Sequence, residues 1–184
     1  MEFVQQKIPK VVLIKPTVHR DQRGYFSETF RQDLFESAIG YSINFVQDNE
    51  SNSTQGVLRG LHYQLPPFAQ AKLVRVIEGS VLDVAVDIRR SSSTFGQHVA
   101  AELTGENKHQ LFIPHGFAHG FVVLSEQATF AYKVDNYYAP DYDRGLAFND
   151  PALGIDWQLP LQQLQLSAKD QSQPTLNNAI DLFE

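Results

Sequence analysis

Leu82-Asp83-Val84-Ala85-Val86-Asp87-Ile88 places an apolar residue at every second position. An extended chain sends alternate side chains to opposite faces, so this run is a β-strand with one strongly apolar face. The pattern continues on both sides. Val57 to Leu65 is apolar and β-rich, and Lys72 to Ile77 alternates up to a turn at Glu78-Gly79. Beyond a loop at Ser91 to Thr94, Gly96–Leu103, Lys108–Ile113, Gly120–Leu124 and Ala128–Asn136 read as strands, with Thr104-Gly105-Glu106-Asn107 as a hairpin turn. Upstream, Val11 to Val18 (broken at Pro16) and Tyr25 to Phe30 read as strands around a polar turn, His19–Gly24. Arg31 to Ala38 carries Leu34, Phe35 and Ala38 at helical spacing and stops before Gly40, giving one short helix. Ile43 to Asn49 reads as extended and Glu50 to Gly56 as a polar loop. After Pro140 regularity fades: Leu146–Leu166 reads as an irregular arm and Ser167–Pro174 as a polar segment. The expected fold is all-β, a closed barrel or double-sheet jelly roll with one short N-terminal helix and an irregular C-terminal arm.

The 184 residues fit a single domain spanning 1–184, large enough to bury a core without a disulfide or structural metal. There is no cysteine, which excludes disulfides, thiolate metal sites and a cysteine nucleophile. A cysteine-free chain is compatible with a cytoplasmic setting. The net charge of −6, without a lysine or arginine run, argues against a nucleic-acid surface but leaves room for a local basic pocket. The first residues lack the apolar core of a signal peptide, and no apolar run approaches the ~20 residues of a membrane span.

Two stretches concentrate chemistry. Arg59-Gly60-Leu61-His62-Tyr63-Gln64 puts a histidine on a strand, and Ile113-Pro114-His115-Gly116-Phe117-Ala118-His119-Gly120-Phe121 leads His119 into another through a tight turn that leaves His115 exposed. Together they resemble the two motifs of cupin barrels. Metal-binding cupins carry a second histidine two residues after the first, then a glutamate. Here Gln64 stands at the second histidine, and Pro66 to Gln70 contains no glutamate. Two histidines fall short of a three-ligand metal site, so no metal and no other cofactor is expected. General acid–base chemistry is what remains for His62. Lys72, between Ala71 and Leu73, would stabilise an enolate oxygen or else snorkel to the surface. Tyr132 is a phenol in a strand, a proton donor or a core aromatic. Asp83 alternates with apolar residues and would face the interior to hold His119. Asp170 on its own reads as a loop carboxylate.

Nearly end to end, the chain resembles the dTDP-4-dehydrorhamnose 3,5-epimerases, metal-free cupins. The resemblance rests on Asp21 to Glu28, Gln47-Asp48-Asn49, Gly56 to Gln64, Lys72 to Val76, Pro114 to Phe121, Tyr132-Lys133, Asn149-Asp150-Pro151 and Leu166 to Asp170. It implies that His62 is the base removing protons beside a ketone, paired with Asp170, that Tyr132 is the acid on the opposite face, and that Lys72 stabilises the enolate. It further implies that Arg59, His119, Gln47, Asp48 and Asn49 bind a dTDP-sugar, with Lys169 near its diphosphate. Arg23 and Glu28 would reach the sugar nucleotide from a strand exchanged within a homodimer. Asp143, counted with the substrate-binding set, stands where the family usually has glutamate, and Phe148 where it has tryptophan; both are expected at the pocket rim. An enzyme acting at carbon 3 alone, a metal-dependent cupin and a non-catalytic sugar-binding barrel remain as other readings. One geometric problem is internal to the motif. Arg59 and His62 are three apart and would face opposite ways on a regular strand, unless Gly60 introduces a bulge.

Overall fold

The computed structural model describes all 184 residues. In chain order its elements are β1 (Glu2–Gln5), β2 (Val12–Lys15), β3 (Val18–Asp21), β4 (Gly24–Ser27), α1 (Gln32–Ile39), β5 (Gln47–Thr54), β6 (Leu58–Gln64) and β7 (Lys72–Glu78). These are followed by β8 (Ser80–Asp87), β9 (His98–Thr104), β10 (Gln110–Ile113), β11 (Phe117–Val123), β12 (Gln127–Val134), β13 (Asp143–Gly145) and α2 (Ala168–Gln171). A six-stranded sheet in the order β1-β2-β10-β7-β12-β5 faces a five-stranded sheet in the order β13-β6-β11-β8-β9, and β3 and β4 form a separate hairpin. The fold is the expected all-β double-sheet jelly roll.

Three apolar clusters explain the layering. Between the sheets, Val74, Val76, Leu111 and Phe130 meet Val81, Ala85, Leu103, Phe117 and Phe121. Outside the five-stranded sheet, Leu82, Val84, Val86 and Ile88 pack with Leu146, Leu153 and Trp157 of the C-terminal arm. The alternation that reveals β8 therefore points its larger apolar side chains at the arm and turns Asp83 and Ala85 inward. Outside the six-stranded sheet, Phe35 of α1 is buried on Phe112 at a centroid distance of 5.0 Å, with Val12, Ile14 and Leu73 around it. Gly40 closes the helix at φ 84°, a left-handed position that glycine enters without a Cβ penalty.

Some boundaries differ from the sequence expectation. Glu50 to Thr54 is not a loop but the second half of β5, which pairs with β12 over eight residues. It is an edge strand whose odd positions turn inward and whose even positions face solvent. Its side chains are polar throughout, so period-two hydrophobicity never appears. The Thr104–Asn107 turn joins no hairpin: β9 and β10 belong to different sheets, and the turn carries the chain across the barrel. His19 to Asp21 is strand rather than turn. The residues just before the arm form β13, and the polar segment contains α2, whose start is capped by the Ser167 side chain accepting from the Asp170 amide at 3.1 Å.

Candidate active site

His62 sits in β6 directly across from His119 in β11, while Arg59 lies across from Phe121. Three steps along β6 thus match two along β11. This bulge lies at Gly60 (φ +127°), where a Cβ would meet the Gly120 Cα at 2.5 Å and the His119 carbonyl oxygen at 2.7 Å. The bulge restores parity, so Arg59 and His62 line one cavity of about 610 Å³ together with Lys72, His119, Tyr132, Asn49, Lys169 and Asp170. Meanwhile Leu58, Leu61 and Tyr63 pack into the arm-facing cluster, which fixes the orientation of the strand.

His62 Nε2 lies 2.5 Å from Asp170 Oδ1, across 108 residues of sequence. Asp170 is 4 % exposed, and α2 carries it into the cavity. Burial alone would raise its carboxyl, but the His62 hydrogen bond and charge, with Ser167 and the Gly60 backbone, hold it below the usual carboxylate value. A carboxylate against one ring nitrogen leaves the other free to take a proton. A second pair lies beside the first. His119 Nε2 is 2.9 Å from Asp83 Oδ2, and both residues are buried. Burial pushes the His119 pKa down; Asp83 opposes this, while Lys72 and His62 add to it. The other Asp83 oxygen has no hydrogen-bond partner.

Lys72 is partly accessible, through the cavity it lines, yet burial lowers its pKa to about 8, against the opposing pull of Asp143 and Asp83. Tyr132 is raised, chiefly by burial, with Arg59 opposing. The phenol is thereby kept protonated, as a proton donor requires. Arg59 is oriented by Ser53 of β5, to whose hydroxyl its Nη2 donates at 3.1 Å. Asp143 sits where Lys169 Nζ and the Tyr138 hydroxyl (3.1 Å) both donate to Oδ2. A cavity edged by Lys72, Arg59, Lys169 and two histidines suits an anionic ligand with a carbonyl deep inside it.

Not every expected contact is present within the single chain. Asp48 points away from the cavity, 71 % exposed, and pairs with Lys133 at 2.9 Å. Period two on β5 separates it from Gln47 and Asn49, which turn inward and bond to each other at 2.8 Å. Arg23 is 90 % exposed on the β3–β4 hairpin, paired with Asp21, and Glu28 is exposed just beyond; neither lines the cavity. Phe148 packs in the cluster outside the five-stranded sheet rather than at the rim, and its carbonyl accepts from Trp157 at 2.9 Å. Gln64, at the position of the second cupin histidine, is committed to backbone. Its amide nitrogen donates to the Phe68 carbonyl at 2.6 Å and its oxygen accepts from Ala139 at 2.8 Å. No group of three or more His, Asp or Glu side chains is arranged to hold a metal ion. Ser53 and Tyr138 were not anticipated. Ser53 carries no local signal, whereas the exposed Tyr137-Tyr138 pair is an aromatic cue beside a turn.

The family model described as dTDP-4-dehydrorhamnose 3,5-epimerase matches residues 5–178. The chain belongs to the dTDP-4-dehydrorhamnose 3,5-epimerase family. It is 54 % identical over 170 residues to the Shigella flexneri dTDP-4-dehydrorhamnose 3,5-epimerase, covering 92 % of this chain and 93 % of that one. It is 49 % identical over 182 residues to the Escherichia coli K12 enzyme of that name, covering 99 % and 98 %. Its fold superposes with a TM-score of 0.95, at 48 % identity, on the dTDP-6-deoxy-D-glucose-3,5-epimerase of Legionella pneumophila Philadelphia 1 solved in complex with dTDP-4-keto-L-rhamnose; 100 % of this chain and 97 % of that one are covered. A 3'-monoepimerase from Streptomyces bikiniensis, in complex with dTDP-quinovose, is more distant: TM-score 0.88, 34 % identity, 95 % and 87 % covered. These family members are isomerases, and the cupin jelly roll is common to them. No helix of the chain is long and apolar enough to cross a membrane.

Proposed function

We propose that the chain epimerises dTDP-4-dehydro-6-deoxy-D-glucose at carbons 3 and 5, yielding dTDP-4-dehydro-L-rhamnose for dTDP-L-rhamnose synthesis, without metal or other cofactor. The observation that carries this reading is the 2.5 Å His62–Asp170 contact in a cavity that Lys72 and Tyr132 also line. Carbons 3 and 5 both flank the C4 ketone, so their hydrogens are acidic through delocalisation onto its oxygen. His62 takes the proton and Asp170 stabilises the imidazolium that results. The Lys72 ammonium donates to the enolate oxygen, the atom on which charge develops. Tyr132 returns a proton from the opposite face, which inverts the centre. Arg59, His119, Gln47, Asn49, Asp143 and Lys169 hold the sugar nucleotide, the cationic members meeting its diphosphate.

The same reading makes the enzyme a homodimer whose exchanged N-terminal hairpin brings Arg23 and Glu28 to the partner's cavity, and places it in the cytoplasm. The hairpin's own form supports the exchange: β3 and β4 pair with neither main sheet, and Phe26 is 70 % exposed. A monomer in sedimentation at micromolar concentration would sink the exchange. The chemistry is tested by incubating the protein with dTDP-4-dehydro-6-deoxy-D-glucose in deuterated water and following solvent label by NMR. Label at carbons 3 and 5 is expected. Label at carbon 3 alone would identify a 3-epimerase, and label at neither would remove the epimerase reading.

A further inference from the structure

We infer that His115 is a positioning residue for Lys72, acting through Asp135. The inference rests on the proposed role of Lys72 at the enolate oxygen. His115 is the histidine of the second motif that neither the acid–base set nor the binding set uses. It lies outside the catalytic cavity, half-exposed, on a separate cleft that it shares with Tyr41, Ala71, Phe112 and Asp135.

Lys72 is the first residue of β7, the strand between β10 and β12, and is flanked by Ile113 on one side and Val134 on the other. His115 lies two residues beyond Ile113, and Asp135 one residue beyond Val134. The two meet past the end of β7. His115 Nε2 donates to Asp135 Oδ2 at 2.8 Å, and Asp135 Oδ1 accepts from the Ala71 amide at 2.7 Å. The Asp135 amide in turn donates to the Ala71 carbonyl at 3.4 Å. A carboxylate with one oxygen on each partner ties the ends of β10 and β12 across the residue preceding Lys72. Lys72 has a long stem with many rotamers, and its ammonium is useful only if held where charge develops. Fixing the backbone at Ala71 removes the freedom nearest to it.

Three variants of the full-length protein test the clasp in the deuterium-exchange assay. His115→Ala is expected to lower kcat about tenfold with KM within twofold of the parent. It is also expected to raise the alkaline limb of the pH–rate profile. That limb belongs to Lys72, whose pKa of about 8 is set by burial, with Asp143 of β13 and Asp83 of β8 favouring the charged form; His119 of β11 lines the same cavity. Tyr132 is raised from an ordinary value of 10.0, so its loss falls at higher pH. A lysine released from its buried position titrates closer to its ordinary value, and loss of folded protein alone moves no limb. His115→Gln keeps an N–H for Asp135 and should restore most of kcat. Asp135→Asn retains an acceptor for Ala71 but sets an amide against His115, so it should move the limb in the same direction as His115→Ala by a smaller amount. An unmoved limb in both His115→Ala and Asp135→Asn, or equal impairment by His115→Ala and His115→Gln, would overturn the clasp. Lys72→Met is run beside them. If it keeps parent activity, the reading of the site fails; if it is inactive while His115→Ala matches the parent, only the clasp fails.

Discussion

The two histidine–aspartate pairs whose histidines line the cavity are built from the same groups at nearly the same spacing, their histidines on neighbouring strands, and their surroundings give them different work. His119 and Asp83 lie on adjacent strands of one rigid sheet, and both are buried. His62 has a ring 30 % accessible through the cavity, and its carboxylate arrives from a four-residue helix in the C-terminal arm. A buried pair locked on both sides can hold a ligand and set a shape, but its histidine is poorly placed to gain and lose protons. A pair with one open side and a partner of depressed pKa can cycle. Burial and the platform of the carboxylate, rather than the pair itself, separate a binding group from a base.

The comparison breaks most sharply at Asp170. Asp170→Asn keeps the shape of the side chain while removing the charge that stabilises the imidazolium, and it permits the wrong tautomer of His62. By analogy with the loss of an orienting carboxylate in a triad, kcat should fall on the order of 10³–10⁴-fold with KM little changed. Steady-state kinetics and single-turnover label uptake check it. A loss below tenfold would make Asp170 an ordinary buried carboxylate.

His119→Asn removes the other ring. Here the expected effect is smaller and lies in a different constant. Loss of one hydrogen bond to a charged ligand costs about 1.5–3 kcal/mol, so KM should rise roughly 10–100-fold while solvent exchange at saturating substrate persists. If kcat fell as far as in Asp170→Asn, the two pairs would be equivalent and the distinction drawn from burial would be wrong.

What local pattern carries, and what it does not, follows the same division. The alternation of β8 was plain, and so were the strands bearing His62, Lys72 and Tyr132, because each has an apolar face to bury. Asp83 could be assigned to the interior and to His119 from parity alone. β5 could not be recognised past Asn49, since an edge strand with polar side chains on both faces has no hydrophobic period. Asp48, expected in the binding set, faces solvent in the single chain for a related reason: three consecutive residues on a strand present the middle one to the other face. Asp170 became a partner of His62 only through family resemblance. The contact spans 108 residues, and nothing in Leu166 to Asp170 announces where a short helix at the end of an irregular arm will dock. The parity conflict between Arg59 and His62 was itself informative, since it located the bulge that brings both into one cavity.

The smallest effect concerns acid stability, and it distinguishes the pairs by the pH at which each fails. Burial depresses the His119 pKa below its ordinary 6.5. In the unfolded chain the ring takes a proton as pH drops through about 6.5, while in the folded chain it resists, so the unfolded state binds more protons and folding weakens from there downward. Asp170 is held below its ordinary 3.8, so its contribution is fully present above that value and is lost as pH falls through its lower folded pKa. The buried pair should therefore fail first. Unfolding free energies from urea titrations every half unit should decline between pH 6.5 and 5 in the parent, at up to about 1.4 kcal/mol per unit for each proton taken up. His119→Asn should make that interval shallower, the remainder belonging to His98 and His109, which burial also lowers, whereas Asp170→Asn should change the curve most below about pH 4. A decline as steep in His119→Asn as in the parent would assign the proton uptake to other groups, and the buried ring could then not be the neutral, sheet-locked member of the two pairs.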